Sequence, residues 1–337
     1  DDQGVSSWGI GLLHEFVSRG VGRLELGNSP GIVRSLCRKL STAKYAYTNQ
    51  LILRSLWSLC TSSAAALGDA TQPASLRRIL AIFSVSDDTE AHHWGIALVS
   101  KLSARPATHR WILDSPLPHA LDDLMARLPQ SLRTSLLPEI AAIISRLCHS
   151  ISLAPMMSAH PEIARACRQL MVSDVETAHL ATIIAIINAT ATSRAFLRLI
   201  VDDGIRRQLL HMLADSARDT AQNYAAKGLV ALLACGLAAP DDVVFHGLVP
   251  FLRRTASNIR AALTPHFART AGHSPLSITW GLAAISHHVS IANVLLTALR
   301  VFLATEERDA GHSLADERAA DALAVLFEYQ EALLAFL

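Results

Sequence analysis

Apolar residues in this chain recur three and four positions apart in short blocks, and the blocks themselves return every forty-odd residues. One series is short and amphipathic: Ile32–Leu40, Leu76–Phe83, His119–Leu128, Ile163–Met171, Ile205–Leu213 and Gly247–Arg254, with starts 44, 43, 44, 42 and 42 residues apart. Within one block, Leu76, Ile79, Leu80 and Phe83 fall on a single helical stripe, which predicts one buried face. A second series is apolar nearly all round and begins near Trp8, Leu51, Trp94, Glu139, Leu180, Ala225, Trp280 and Asp321, in steps of 43, 43, 45, 41, 45, 55 and 41. Runs such as Ile183-Ile184-Ala185-Ile186-Ile187 have no polar face, so these helices are expected to lie deeper. No stretch alternates with the period of a strand. A fixed period of this size predicts an all-α solenoid whose units cover their apolar faces only with their neighbours.

The connectors fit that reading. Ser84 to Thr89, Ser173-Asp174 and Asp215-Ser216 each precede a helix with a side-chain oxygen able to cap it. Pro30-Gly31, Pro116, Pro118 and Pro161 are expected to mark unit boundaries. The step of 55 implies an insertion over residues 255–277, where Thr264-Pro265 and Ser274-Pro275 interrupt the pattern. The expected organisation is one array over 1–337, a fragment of a longer protein. The chain closes on the apolar Ala332-Leu333-Leu334-Ala335-Phe336-Leu337, where a solenoid end normally shows a polar face. Self-association through that end is one expectation.

The unit from Ser193 to Ala234 resembles an armadillo repeat. The run from Ser193 to Ile205 is similar to its first helix and glycine turn, Leu209-Leu210 and Leu213 to its second helix, and Asp215 through Leu233 to its polar turn and third helix. Met171 to Asn188 is similarly shaped, and HEAT-type helix pairs share much of the pattern. The resemblance implies a right-handed superhelix of about eight armadillo- or HEAT-like repeats. It also implies a concave groove of third helices that binds extended peptides. In the importin-alpha branch that helix carries Trp-x-x-x-Asn; here Leu12, Leu98 and Ala284 stand four residues after Trp8, Trp94 and Trp280, and Ile184 four before Asn188. The regular backbone clamp is therefore absent. Trp8, Trp94, Trp280 and Asn188 remain candidate groove residues, or else packing residues at the repeat seams.

Charge adds a second candidate. The whole chain is balanced, with 30 basic and 29 acidic residues, so no global attraction to nucleic acid or anionic lipid is expected. Residues 243–305, however, hold no Asp or Glu but contain Arg253, Arg254, Arg260, Arg269 and Arg300. That stretch is either a basic patch for an acidic or phosphorylated partner or is neutralised by Asp241, Asp242, Glu306 and Glu307 at its borders.

Chemistry finds little footing. The pairs His92-His93 and His287-His288 are adjacent, so their rings diverge by about 100° on a helix, and no metal site is expected. Gly-x-Ser-x-Gly, a phosphate-binding loop and a dinucleotide fingerprint are all missing, which argues against catalytic residues and cofactors. Cys37, Cys60, Cys148, Cys167 and Cys235 are scattered singly; reduced thiols of a cytoplasmic or nuclear protein are expected. No membrane span is expected either, since the apolar run from Gly228 to Ala239 is too short. The expected function is a non-enzymatic scaffold that binds a peptide segment or complex subunit. The alternative is a nucleic-acid-associated regulator using residues 243–305.

Overall fold

The structure is a computed structural model. It describes residues 2–40, 46–86, 88–127, 129–215, 219–238, 247–251 and 253, with 320, 324–325, 327–328 and 331 near the end. The insertion at 255–277, Arg254, Arg260, Arg269, Trp280 and the apolar tail lie outside the described residues. The chain divides into two compact units, Asp1–Ile200 and Val201–Leu337.

Every regular element among the described residues is a helix. In the first unit, α1 (Asp2–Ser18) is followed by three-helix modules. The first contains α2 (Arg23–Asn28), α3 (Ile32–Leu40) and α4 (Ala46–Ser62). The next runs α5 (Ala64–Ala70), α6 (Pro73–Leu80), the short α7 (Ile82–Val85) and α8 (Thr89–Leu102). A 3-10 turn at Pro106–Thr108 leads into α9 (His109–Leu113), α10 (Leu117–Arg127) and α11 (Gln130–Cys148). Another, at Ile151–Leu153, leads into α12 (Ala154–Ser158), α13 (Pro161–Met171) and α14 (Glu176–Thr192); α15 (Arg194–Ile200) opens the pattern again. The second unit contains α16 (Asp203–Asp215) packed on α17 (Asp219–Ala234), and Arg206 donates to the Leu237 carbonyl at 2.9 Å.

Among the described residues, the two sequence series are the second and third helices of these modules. Second helices bury one stripe, as α3 does with Val33, Leu36, Cys37 and Leu40 while Arg34, Ser35, Arg38 and Lys39 face water. Third helices pack on a neighbour at either side, α4 between α1 and α8, and α11 between α8 and α14. That is why Ile52, Leu53, Leu56 and Leu59 are all fully buried on one helix. The short first helix is the element that periodicity does not reveal, because five to seven residues are too few to display a stripe. Its presence makes the module an armadillo-type triplet rather than a HEAT-type pair.

Three local expectations need correction. Asp88 caps α8 through the Glu90 amide at 3.1 Å, as expected. Ser173-Asp174 does not cap α14: Ser173 Oγ accepts from the Val175 amide at 3.4 Å, and Asp174 instead accepts from Gln130 of the preceding third helix. The prolines open second helices inside modules rather than marking module boundaries. Pro161 and Pro73 stand at first turns, where a missing N–H costs nothing. Gly204 lies in the first turn of α16, not in a glycine turn between helices.

Close packing between modules is sharpest at Gly27 of α2. A β-carbon there would stand 2.6 Å from the Ser63 Cβ. Ser63 is fixed in place, accepting from the Ala66 amide at 3.1 Å and donating to Asn28 Oδ1 at 2.8 Å. Gly27→Ala is therefore expected to destabilise the chain by about 1–3 kcal/mol through overpacking, overriding a helix-propensity gain of about 1 kcal/mol. A urea melt of the variant checks this; an unchanged or raised midpoint would show that the seam can open without cost.

Candidate protein-binding surface

Third helices α1, α4, α8, α11 and α14 lie side by side, each packed on the next. Polar side chains tie them together at both ends. Near their N-termini, Gln50 donates to Asp88 Oδ2 at 2.7 Å and Gln130 to Asp174 Oδ2 at 2.6 Å. Near their C-termini, Arg146 donates to Ser103 Oγ at 2.9 Å and to the Ser100 carbonyl, and Thr192 Oγ1 donates to the Cys148 carbonyl at 2.9 Å. The bonds to the Ser100 and Cys148 carbonyls satisfy acceptors at helix ends that have no partner within their own helix, and together the five fix the register of one module against the next.

On that frame the side chains not turned inward form stripes. On α4 the stripe is Tyr47, Arg54 and Thr61, seven residues apart, with half-buried Trp57 beside it. On α8 it is Glu90, Trp94 and Lys101. The stripes meet at an aromatic cluster. Trp57 and Trp94 have ring centroids 5.5 Å apart at 59°, and His93 stacks on Trp94 at 5.0 Å. The Arg54 guanidinium sits 5.1 Å from the Trp94 centroid, within range of a cation–π attraction. Gly95 lets α8 approach α7, since a β-carbon there would lie 3.0 Å from the Phe83 ring.

The three candidate groove residues that are described, Trp8, Trp94 and Asn188, are not brought together. Trp94 is at the centre of the cluster. Trp8 stands 73% exposed on α1, in line with Leu12 and Phe16, and does not join it. The half-buried Asn188 donates through Nδ2 to the Ser145 carbonyl at 3.2 Å, so the amide that a peptide clamp would use is engaged with the neighbouring module. Trp280 lies outside the described residues, as do Arg254, Arg260, Arg269 and Arg300; Arg253 is helical and exposed. Trp57 is the residue that sequence reasoning missed. It belongs to the same third-helix series but stands 37 residues before Trp94, nearly two turns short of a full period, so a search for copies at equal phase passes over it.

Burial favours the neutral form of four histidines. Burial pushes His14, His93, His109 and His160 below the ordinary imidazole value of 6.5. For His109 this prevails even though its Nε2 contacts the Ser103 carbonyl at 2.7 Å. Between the unfolded value and the lower folded ones, the unfolded chain binds more protons, so stability rises with pH across that window. It is fully present above about pH 6.5 and declines as the pH falls toward the folded values. Urea midpoints are expected to drop between about pH 7 and about pH 5; a midpoint that rises on acidification would contradict this sign.

Among the described residues no three His, Cys, Asp or Glu side chains converge as metal ligands, and no single helix is long and apolar enough to cross a membrane. All five cysteines are free thiols, four of them buried.

No family model and no curated protein matches this sequence. Solved structures do match. A designed armadillo repeat protein superposes with a TM-score of 0.57 at 12% identity, covering 80% of this chain and 99% of its own. An engineered protein matches with a TM-score of 0.55 at 14% identity, over 79% of this chain and 98% of that one. A designed armadillo repeat protein in complex with the peptide (KR)4 matches with a TM-score of 0.50 at 10% identity, over 87% and 99%. The fold is thus an armadillo-like α-solenoid, the resemblance first visible between Ser193 and Ala234.

Proposed function

We propose that this chain is a non-enzymatic scaffold that holds an extended segment of a partner protein across its third-helix face, with Trp57 and Trp94 as the anchor. The observation that carries this reading is the half-exposed Trp57–Trp94–Arg54 cluster at the seam of two modules. Tryptophan, tyrosine and arginine are enriched among the residues that dominate interface energetics, and an indole buries much area at little conformational cost. The fold lends general support, since one similar designed protein holds a peptide. That peptide is basic, whereas here Arg54 already occupies one side of Trp94 and Lys101 lies two turns along the same stripe. A neutral or acidic segment fits this face better than a basic one.

The reduced thiols fit a cytoplasmic or nuclear setting. The nucleic-acid alternative rests on residues 243–305, of which only Gly247 to Phe251 and Arg253 are described, and no described feature favours it. Selection from a displayed library of random peptides against the immobilised whole chain tests the proposal. An enriched family of peptides that compete with one another for one face is expected. Failure to enrich any, or enrichment of mutually independent binders, would count against a single groove.

A further inference from the structure

The opposite kind of helix carries a second site, with different chemistry. Between Glu25 and Asp87 the chain holds seven basic residues (Arg34, Arg38, Lys39, Lys44, Arg54, Arg77 and Arg78) against a single acid, Asp69. Three of those arginines converge. The second helices α3 and α6 pack side by side and leave a groove of about 370 Å³ between them, lined by Pro30, Gly31, Arg34, Ser35, Arg38 and Arg78, together with Cys37, Ala74 and Ser75.

Each wall has a definite origin. Pro30 and Gly31 form the turn into α3, Gly31 with φ of 85°, a left-handed conformation that suits glycine. Arg34 and Arg38 are one turn apart on the exposed side of α3, and Arg38 donates to Ser35 Oγ at 3.1 Å. Arg78 reaches across from α6 to donate to the Arg38 carbonyl at 3.5 Å, which holds its guanidinium over the seam. The floor is Cys37, hydrogen-bonded with Ser75 and buried; burial pushes its thiol up to about 12, so it carries no negative charge at neutral pH. Asp69 is the one carboxylate whose charge reaches that thiol, and it does not line the groove.

We infer that this groove binds a phosphate monoester presented on a partner peptide. A guanidinium offers five N–H donors in a planar fork that matches phosphate oxygens bidentately. A phosphomonoester brings a charge of about −1.5 to −2 and three acceptor oxygens, a match for three converging arginines with the Ser35 hydroxyl beside them. A nucleic-acid backbone fits less well. It distributes its charge along a track, and proteins that hold single strands supply aromatic platforms for the bases; no aromatic residue lines this groove. The site is independent of the third-helix face, so the two can succeed or fail separately.

The test uses the whole chain and a fluorescent Gly/Ser peptide with one central phosphoserine, alongside its unphosphorylated twin. The phosphorylated peptide is expected to bind at least about tenfold more tightly, the equivalent of one charge-assisted hydrogen bond. Arg34→Gln, at an exposed position that folding tolerates, is expected to weaken it by about tenfold, and Arg34→Lys by less. Arg77→Gln is the control for bulk charge: it removes the same charge from α6, but at a side chain placed 4.6 Å from the Trp111 ring centroid and outside the groove. It should leave binding unchanged. Equal binding of both peptides would overturn the inference, as would an Arg77→Gln loss matching that of Arg34→Gln. So would displacement of the phosphopeptide by a single-stranded oligonucleotide, or by vesicles containing phosphatidylinositol monophosphate, more readily than by its unlabelled self.

Discussion

Phe196→Ala is expected to lower the unfolding free energy by about 3–5 kcal/mol. Phe196 is 1% exposed and heads the fully buried side chains by volume. It projects from α15, which packs on α12, α13 and α14, and its amide is fixed by Ser193 Oγ at 3.2 Å. Removing the ring takes away its transfer free energy and leaves a cavity that three neighbouring helices cannot all collapse into. Total stabilities of native domains are about 5–15 kcal/mol, so the loss is a large share. Urea denaturation gives the magnitude, and Val172→Ala serves as comparison because Val172 is 68% exposed. Modules in a solenoid are coupled mainly to nearest neighbours. Hydrogen exchange in the variant is therefore expected to rise first in α13, α14 and α15, and much less in α4. A fall of under about 1 kcal/mol would mean that α15 is peripheral to the stack.

Trp94→Ala is expected to weaken a peptide selected on the third-helix face by about thirtyfold, the consequence of losing a central aromatic anchor worth about 2 kcal/mol. The indole supplies contact area, and its seat between Trp57, His93 and Arg54 keeps it pre-ordered, so little conformational freedom is lost on binding. Trp94→Phe should recover part of the affinity, which separates loss of the anchor from loss of the fold. Trp57→Ala should weaken binding in parallel, since it removes the surface that holds the Trp94 ring. Unchanged affinity in the Trp94 variant would remove the cluster from the binding face.

The architecture was readable because periodicity survives in sequence wherever burial recurs. Two helix series with one period point to stacked modules, and the armadillo likeness of Ser193 to Ala234 agrees with the fold. Helix starts were less legible. Third helices begin four to nine residues ahead of their apolar blocks, α11 at Gln130 rather than near Glu139, because a polar first turn carries no apolar signal. Binding residues were harder still. Trp8 and Trp94 both stand at the start of third-helix blocks and read alike in sequence, yet Trp57 of the helix between them packs its ring against Trp94. Asn188 reads as a ligand clamp from its chemistry; only the stack reveals that Ser145 receives its hydrogen bond. The cations on α3 and α6 are visible in composition, whereas their convergence depends on how two second helices pack.

Photo-crosslinking from single positions on the whole chain tests the binding face most directly. Benzoylphenylalanine would replace in turn Tyr47 and Lys101, on the stripes of α4 and α8, and Arg110 and Arg165, exposed on α9 and α13. With a selected peptide bound, crosslinks are expected from Tyr47 and Lys101 and not from Arg110 or Arg165. Crosslinks from the second pair alone would contradict the assignment of the third helices as the face that holds a partner.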